Sequence, residues 1–256
     1  MTTPGIFSGK VVLITGTGGG QGREAALRFS AGGATVVGCD LDVKANEETR
    51  RQVRAAGGEK MSAFAPVDLG DPEQARRWVE DAASAHGRVD VVYNNASAAR
   101  FGPIDQMSVE DWQFTVRNEL DLVFYVTRFA WPHLALRGGV IINTASVAGH
   151  VGSHVSPIVA HAATKGAVIA MTRQLAVEGA PVGIRVVSIS PGPIETPGTR
   201  ELLADPVARE MLLGGALIRR IGQPSDVVSL ALFLASDDAS YITGTDFIVD
   251  GGLTAL

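Results

Sequence analysis

Short runs of Val and Ile, apolar at nearly every position, alternate along this chain with longer segments whose apolar residues recur at helical spacing. The runs are KVVLITG (10–16), ATVVGCD (34–40), VDVVYNNA (89–96), GGVIINTAS (138–146), IRVVSISPG (184–192) and DFIVDGG (246–252), with a weaker one in KMSAFAPVDL (60–69). A strand with one face in water alternates apolar and polar residues, so unbroken hydrophobicity predicts strands covered on both faces. The spacing between the runs predicts helices over 21–32, 43–56, 72–86, 109–136, 157–179, 199–215 and 224–235. Strand and helix in alternation predict right-handed crossovers and an α/β fold, a doubly wound parallel sheet of about seven strands in one domain spanning 1–256. Such a sheet holds its ligand at the carboxyl ends of the strands.

Composition agrees with that fold and narrows the partners. Hydrophobic residues make up 46% of 256 residues, enough to bury both faces of a sheet and too much for a disordered chain. The net charge of -5 is spread along the chain without a basic cluster, which excludes a nucleic-acid binder that works by neutralising phosphates. Cys39 is the sole cysteine, so neither an intrachain disulfide nor a thiolate metal site is possible, and its place in an apolar run predicts a core residue. MTTPGIFSGK lacks the apolar stretch of a secretory signal, and no run reaches the ~18 residues of a membrane span. A cytoplasmic protein is predicted.

The first strand runs into TGTGGGQG, Thr15 to Gly22, and then into a helix. Glycines there let the backbone approach a pyrophosphate, and the helix start offers unpaired N–H groups to it. The second strand ends at Asp40, where a dinucleotide fold places an acid on the adenosine ribose. That carboxylate repels a 2'-phosphate, and no Arg or Lys stands inside the glycine loop, so the sequence predicts NAD over NADP. Asp42, past the predicted strand end, is the weaker candidate.

With NNAS (94–97), Ser146, HAATK (161–165), PGPIETP (191–197) and the C-terminal stretch 219–252 in that order, the chain resembles the short-chain dehydrogenase/reductase family over almost its full length. The resemblance implies that Gly16, Gly20 and Gly22, with Gln21 between the last two, form the phosphate loop. It puts Asp40 on the ribose, Asp68 on the adenine amino group and Leu69 in the adenine pocket. Asn95 matches the residue that braces the sheet and approaches the cofactor. Ile194 and Thr196, in the segment opened by Pro191, match positions that hold the nicotinamide carboxamide. A homotetramer built on the helices 109–136 and 157–179 is also implied; the apolar Leu122, Phe124, Val126 and Phe129 fit such an interface or, equally, a core.

The family's catalytic residues are a Ser that binds the reacting oxygen, a Tyr that moves its proton, a Lys that holds the ribose and an Asn that supports a water relay. Ser146, Lys165 and Asn118 match three of these, and His161 stands where the Tyr is expected. Ser97 also departs from the family pattern, replacing a glycine. His161 and Lys165, at i and i+4, share a helix face. Imidazole titrates near ~6.5 against ~10 for a phenol, so it is a ready base for alcohol oxidation. The charges of Lys165 and the nicotinamide disfavour imidazolium. Two other readings stay open: a silent NAD-binding protein in which His161 is hydrogen-bonded to Ser146, and a lyase or isomerase using His161 as base. If only the acid/base is impaired, His161→Tyr is expected to raise turnover on the order of 10²-fold. His150 and His154, in the loop between Ser146 and His161, are weak candidates for contact with substrate. Val151, Val155, Ile158, Leu202, Leu203, Met211 and Leu212 are expected to line an apolar pocket for an alcohol or ketone, or else to pack a lid.

Overall fold

The structure, a computed structural model, describes residues 5–58 and 61–255. The apolar runs form seven strands: β1 Val11–Thr15, β2 Thr35–Cys39, β3 Met61–Phe64, β4 Val91–Asn94, β5 Gly139–Thr144, β6 Ile184–Pro191 and β7 Asp246–Val249. They join in one sheet of order β3-β2-β1-β4-β5-β6-β7, with every neighbouring pair parallel. Lys60, where the weak run begins, lies outside the described residues.

Period-two alternation decides which residues face which helices. Leu13, Val37, Val92, Ile141 and Val186 pack on one face beneath α3 (Pro72–His86), α5 (Leu122–Ala135) and α6 (Val159–Gly179). Val12, Ile14, Val36, Tyr93, Ile142 and Val187 pack on the other, beneath α1 (Gly20–Ala31) and α9 (Pro224–Ala235). Cys39 is fully buried, as its place in a strand predicts. The helix α2 (Val43–Ala55) starts where Asp42 accepts the Ala45 N–H, and α3 where Asp71 accepts those of Glu73 and Gln74 beside Pro72. No helix among the described residues is long and apolar enough to cross a membrane.

Two predicted helices are interrupted. The segment 109–136 contains α4 (Val109–Val116), a wide π-turn over Arg117–Asp121 and then α5. At the turn the Leu122 N–H reaches back to the Arg117 carbonyl, one residue further than in an α-helix. The segment 199–215 divides into α7 (Arg200–Ala204) and α8 (Pro206–Leu213), because the residue before a proline is driven out of helical backbone. Asp205 is accordingly extended and caps α8 through the Val207 N–H.

A buried polar row crosses the middle of the sheet. Asn94 and Asn143 are register partners, and Asn94 Nδ2 donates to Asn143 Oδ1 at 2.9 Å. Asn94 Nδ2 also donates to Thr127 of α5, and Asn143 Nδ2 to Thr172 of α6. The row pins both site-bearing helices to the strands beneath them. Asn143→Ala removes two of these bonds, leaving the buried Asn94 amide with Thr127 alone and the buried Thr172 hydroxyl without its donor, so unfolding free energy is expected to fall by roughly 2–4 kcal/mol in urea titrations. A loss below ~0.5 kcal/mol would mean that the row does not hold the helices.

Candidate active site

Strand order reverses direction beside β1 and β4, opening a crevice at their carboxyl ends. Gly16 leaves β1 with φ +73, and a Cβ there would lie 2.9 Å from the Ala96 Cα. A Cβ on Gly22 would lie 2.0 Å from the Gly16 carbonyl, so only glycine lets α1 close onto the loop. Gly19, the N-cap of α1, has no side chain to satisfy the first N–H groups of the helix, which leaves them for an anion. Asp40 Oδ2 accepts the Gly18 N–H at 2.7 Å and its Oδ1 the Asp42 N–H at 2.9 Å, holding the carboxylate at the rim. Asp42 instead uses its own carboxylate to cap α2.

These residues share one cleft of about 670 Å³ with the predicted catalytic group. Gly16, Gly20, Gln21, Asp40, Asp68, Leu69, Asn95, Asn118, Ser146, His161, Lys165, Pro191, Ile194 and Thr196 all line it. Gly22 does not; it is a packing residue behind the loop. Asn95 braces β1, donating from Nδ2 to the Thr15 carbonyl at 3.0 Å while its N–H reaches Thr15 Oγ1. Asp68 pairs with Arg117 of the π-turn at 2.7 Å, a partner that the sequence did not reveal. The open helix start, the glycine cradle and the rim carboxylate suit a nicotinamide dinucleotide.

At the positions expected to be catalytic, Ser146 lies two residues past β5 with Oγ accepting the Ala148 N–H at 3.1 Å. Asn118 Nδ2 donates to the Phe114 carbonyl at 2.8 Å. Lys165 is buried, and its Nζ donates to the Thr144 carbonyl at 3.0 Å. His161 is not hydrogen-bonded to Ser146. Its Nδ1 lies 2.9 Å from each oxygen of Glu119, a residue that sequence reasoning passed over. Ser97 Oγ donates to Glu119 Oε1 and Thr164 Oγ1 to Oε2, both at 2.6 Å. Phe101 stands edge-on to the imidazole, with ring centroids 5.8 Å apart.

The Glu119 side chain is 1% exposed. Burial alone would push its carboxyl up, but the Lys165 ammonium, His161 and the Ser97 hydroxyl outweigh burial and bring it down to about 2. Burial lowers Lys165 from the usual lysine range, with Glu119 opposing. The expectation that the charges of Lys165 and the nicotinamide disfavour imidazolium left out this carboxylate, which lies against the ring with the opposite charge.

Three further expectations change. Ser97, the departure from the family's glycine, needs no glycine backbone, since no residue other than glycine has positive φ among the described residues, and its hydroxyl serves Glu119. None of the seven apolar residues expected in the substrate wall lines the cleft. Thr199 Oγ1 holds the Ile194 carbonyl at 2.6 Å and turns the chain away before Leu202, while Val151 and Met211 are 43% and 51% exposed. Phe101, Ala98, Ala99 and Pro197 form the apolar wall instead. His150 is neither free nor directed at the cleft: its Nε2 meets Asp246 Oδ2 at 2.8 Å, tying the loop after Ser146 to β7. His154 is exposed.

Residues 16–254 match the family described as enoyl-(acyl carrier protein) reductase. The chain is 36% identical to cyclohexanol dehydrogenase of Acinetobacter sp. (strain SE19), covering 97% of this chain and 96% of that protein. It is 37% identical to meso-2,3-butanediol dehydrogenase of Serratia marcescens, again over 97% and 96%. A crystal structure of a short-chain type dehydrogenase/reductase from Mycobacterium marinum superposes with a TM-score of 0.93 at 31% identity, covering 98% and 97% of the two chains. The chain belongs to the short-chain dehydrogenase/reductase family of oxidoreductases.

Proposed function

We propose that the chain is an NAD-dependent oxidoreductase that interconverts a mainly apolar secondary alcohol and its ketone, with His161 in the acid/base position where the family has Tyr. The observation that carries this reading is that Ser146, His161, Lys165 and Asn118 line the same cleft as Asp40 and the glycine loop. The named substrates of two relatives, cyclohexanol and meso-2,3-butanediol, support a secondary alcohol. The apolar wall around Phe101 supports a mainly hydrocarbon substrate.

A bound nicotinamide dinucleotide supplies the hydride acceptor or donor. The residues do the rest. Ser146 Oγ orients the carbinol oxygen, and His161 takes the hydroxyl proton as the C–H hydrogen leaves as hydride, so that alcohol becomes ketone. Lys165 holds the ribose from its buried seat, and Asn118 supports a water that relays the proton. Mixing the protein with NAD and a panel of secondary alcohols should produce NADH absorbance. NAD binding without turnover on any alcohol or ketone would instead favour a silent NAD-binding protein.

Asp40 sets the cofactor. NAD is expected to bind well ahead of NADP, and Asp40→Ala to narrow the ratio of the two affinities by about tenfold, or ~1.4 kcal/mol, by calorimetry. Equal or tighter NADP binding by the unmodified protein would defeat the assignment. For the homotetramer, Leu122 and Val126 are spoken for by the chain's own core, whereas Phe124 and Trp112 are exposed and available.

A further inference from the structure

Ser97 and His161, both flagged in the sequence as departures from the family's pattern, meet on the same carboxylate. Ser97 comes from the loop after β4, Glu119 from the π-turn and His161 and Thr164 from α6. Hydroxyls on either side hold the two oxygens of Glu119, so the group is fixed, and its free edge is presented to the imidazole. An ionised carboxylate only accepts hydrogen bonds, so the hydrogen between it and the ring sits on Nδ1. In the neutral ring Nε2 is then bare, and Nε2 has no hydrogen-bond partner among the described residues.

We propose that Glu119 is a positioning residue for proton transfer: it fixes His161 as the Nδ1–H tautomer, making Nε2 the nitrogen that accepts the alcohol proton and returns it to the ketone. This rests on the oxidoreductase reading given above. When the proton arrives, the adjacent carboxylate balances the imidazolium, a service that Lys165 cannot give. A role in stability alone accounts poorly for the arrangement, because desolvating a carboxylate costs several kcal/mol and an apolar side chain of similar volume usually serves a core as well. The charged groups facing the ring are Glu119 and, one helical turn along α6, Lys165.

The test begins with the unmodified protein, without cofactor or substrate, so that its outcome does not depend on turnover. With histidines labelled in ¹⁵N and the His161 signals assigned by their loss in His161→Gln, two-bond ¹H–¹⁵N correlations above the titration range should show the hydrogen on Nδ1. An Nε2–H tautomer overturns the proposal. In kinetics with an oxidised alcohol, Glu119→Gln should lower kcat by about 10²-fold or more while KM changes less than about threefold, with partial recovery in Glu119→Asp. An unchanged kcat in Glu119→Gln also overturns it. Should Glu119→Gln fail to fold, the spectrum of the unmodified protein decides. The expected tautomer in a protein inactive on every alcohol would support the fixed ring and overturn only the oxidoreductase reading.

Discussion

Replacing His161 with tyrosine should lower alcohol oxidation by on the order of 10²-fold, the opposite of the gain expected from sequence alone. In the family's arrangement the lysine favours the phenolate that accepts the proton. Here Glu119 is buried against the same position and sets a negative charge against that of Lys165. A phenol placed there would meet a carboxylate that holds it protonated, and Glu119 would lose the His161 hydrogen bond. The residues are coupled, so their effects will not add. Combining His161→Tyr with Glu119→Leu should recover at least tenfold over His161→Tyr alone, a coupling of ~1.4 kcal/mol in a double-mutant cycle. Initial rates of NADH formation measure both. A higher rate in His161→Tyr alone would show that Glu119 does not constrain the site as described.

Lys165→Met carries the second large effect. The lysine is the leading favourable partner of a carboxylate that burial would otherwise penalise. Removing it takes away the positive charge that offsets the burial of Glu119 while the hydrogen bonds from Ser97, Thr164 and His161 remain, at a cost of roughly 1–3 kcal/mol. The pH dependence has a definite sign. A carboxyl held below its ordinary 4.5, at about 2, contributes stability that is complete above 4.5 and lost as pH falls toward 2. The gap between unmodified protein and Lys165→Met should therefore be widest at neutral pH and close on acidification through that window. Urea titrations at about pH 7 and about pH 3 measure it. A gap that stays constant would place the damage in lost packing. Calorimetry at neutral pH should also show weaker NAD binding.

The strands and most helices could be read from the chain because their cause is local. Val/Ile runs, Asp71 at one helix start and Pro224 at another state their roles within a few residues, whereas Asp42, weighed for the ribose, proves to cap α2. The glycine loop and HAATK were equally legible, since each does its work in a short span. Glu119 was not. It stands in RNELDLVFYV, which reads as one helix, and its four partners come from two distant places in the chain, Ser97 after β4 and His161, Thr164 and Lys165 on α6. One signal was available: an acid heading an apolar stretch expected to be buried is the kind of residue that needs a partner. The substrate wall failed for a related reason, since nothing local announced that Thr199 would turn the chain away from the cleft.

The wide turn at Arg117–Asp121 has a consequence for how such a site can change over generations. An α-helix is a rigid screw, so a residue added or removed near one end rotates everything beyond it by about 100°. A single over-wide turn absorbs that phase error where it arises. Phe114 and Thr115 on one side, and Leu122 and Val126 on the other, are set to their own neighbours, and the segment between them carries Asn118 and Glu119. The chemistry can thus be rewritten within the turn while the threads on either side stay in phase with their own surroundings.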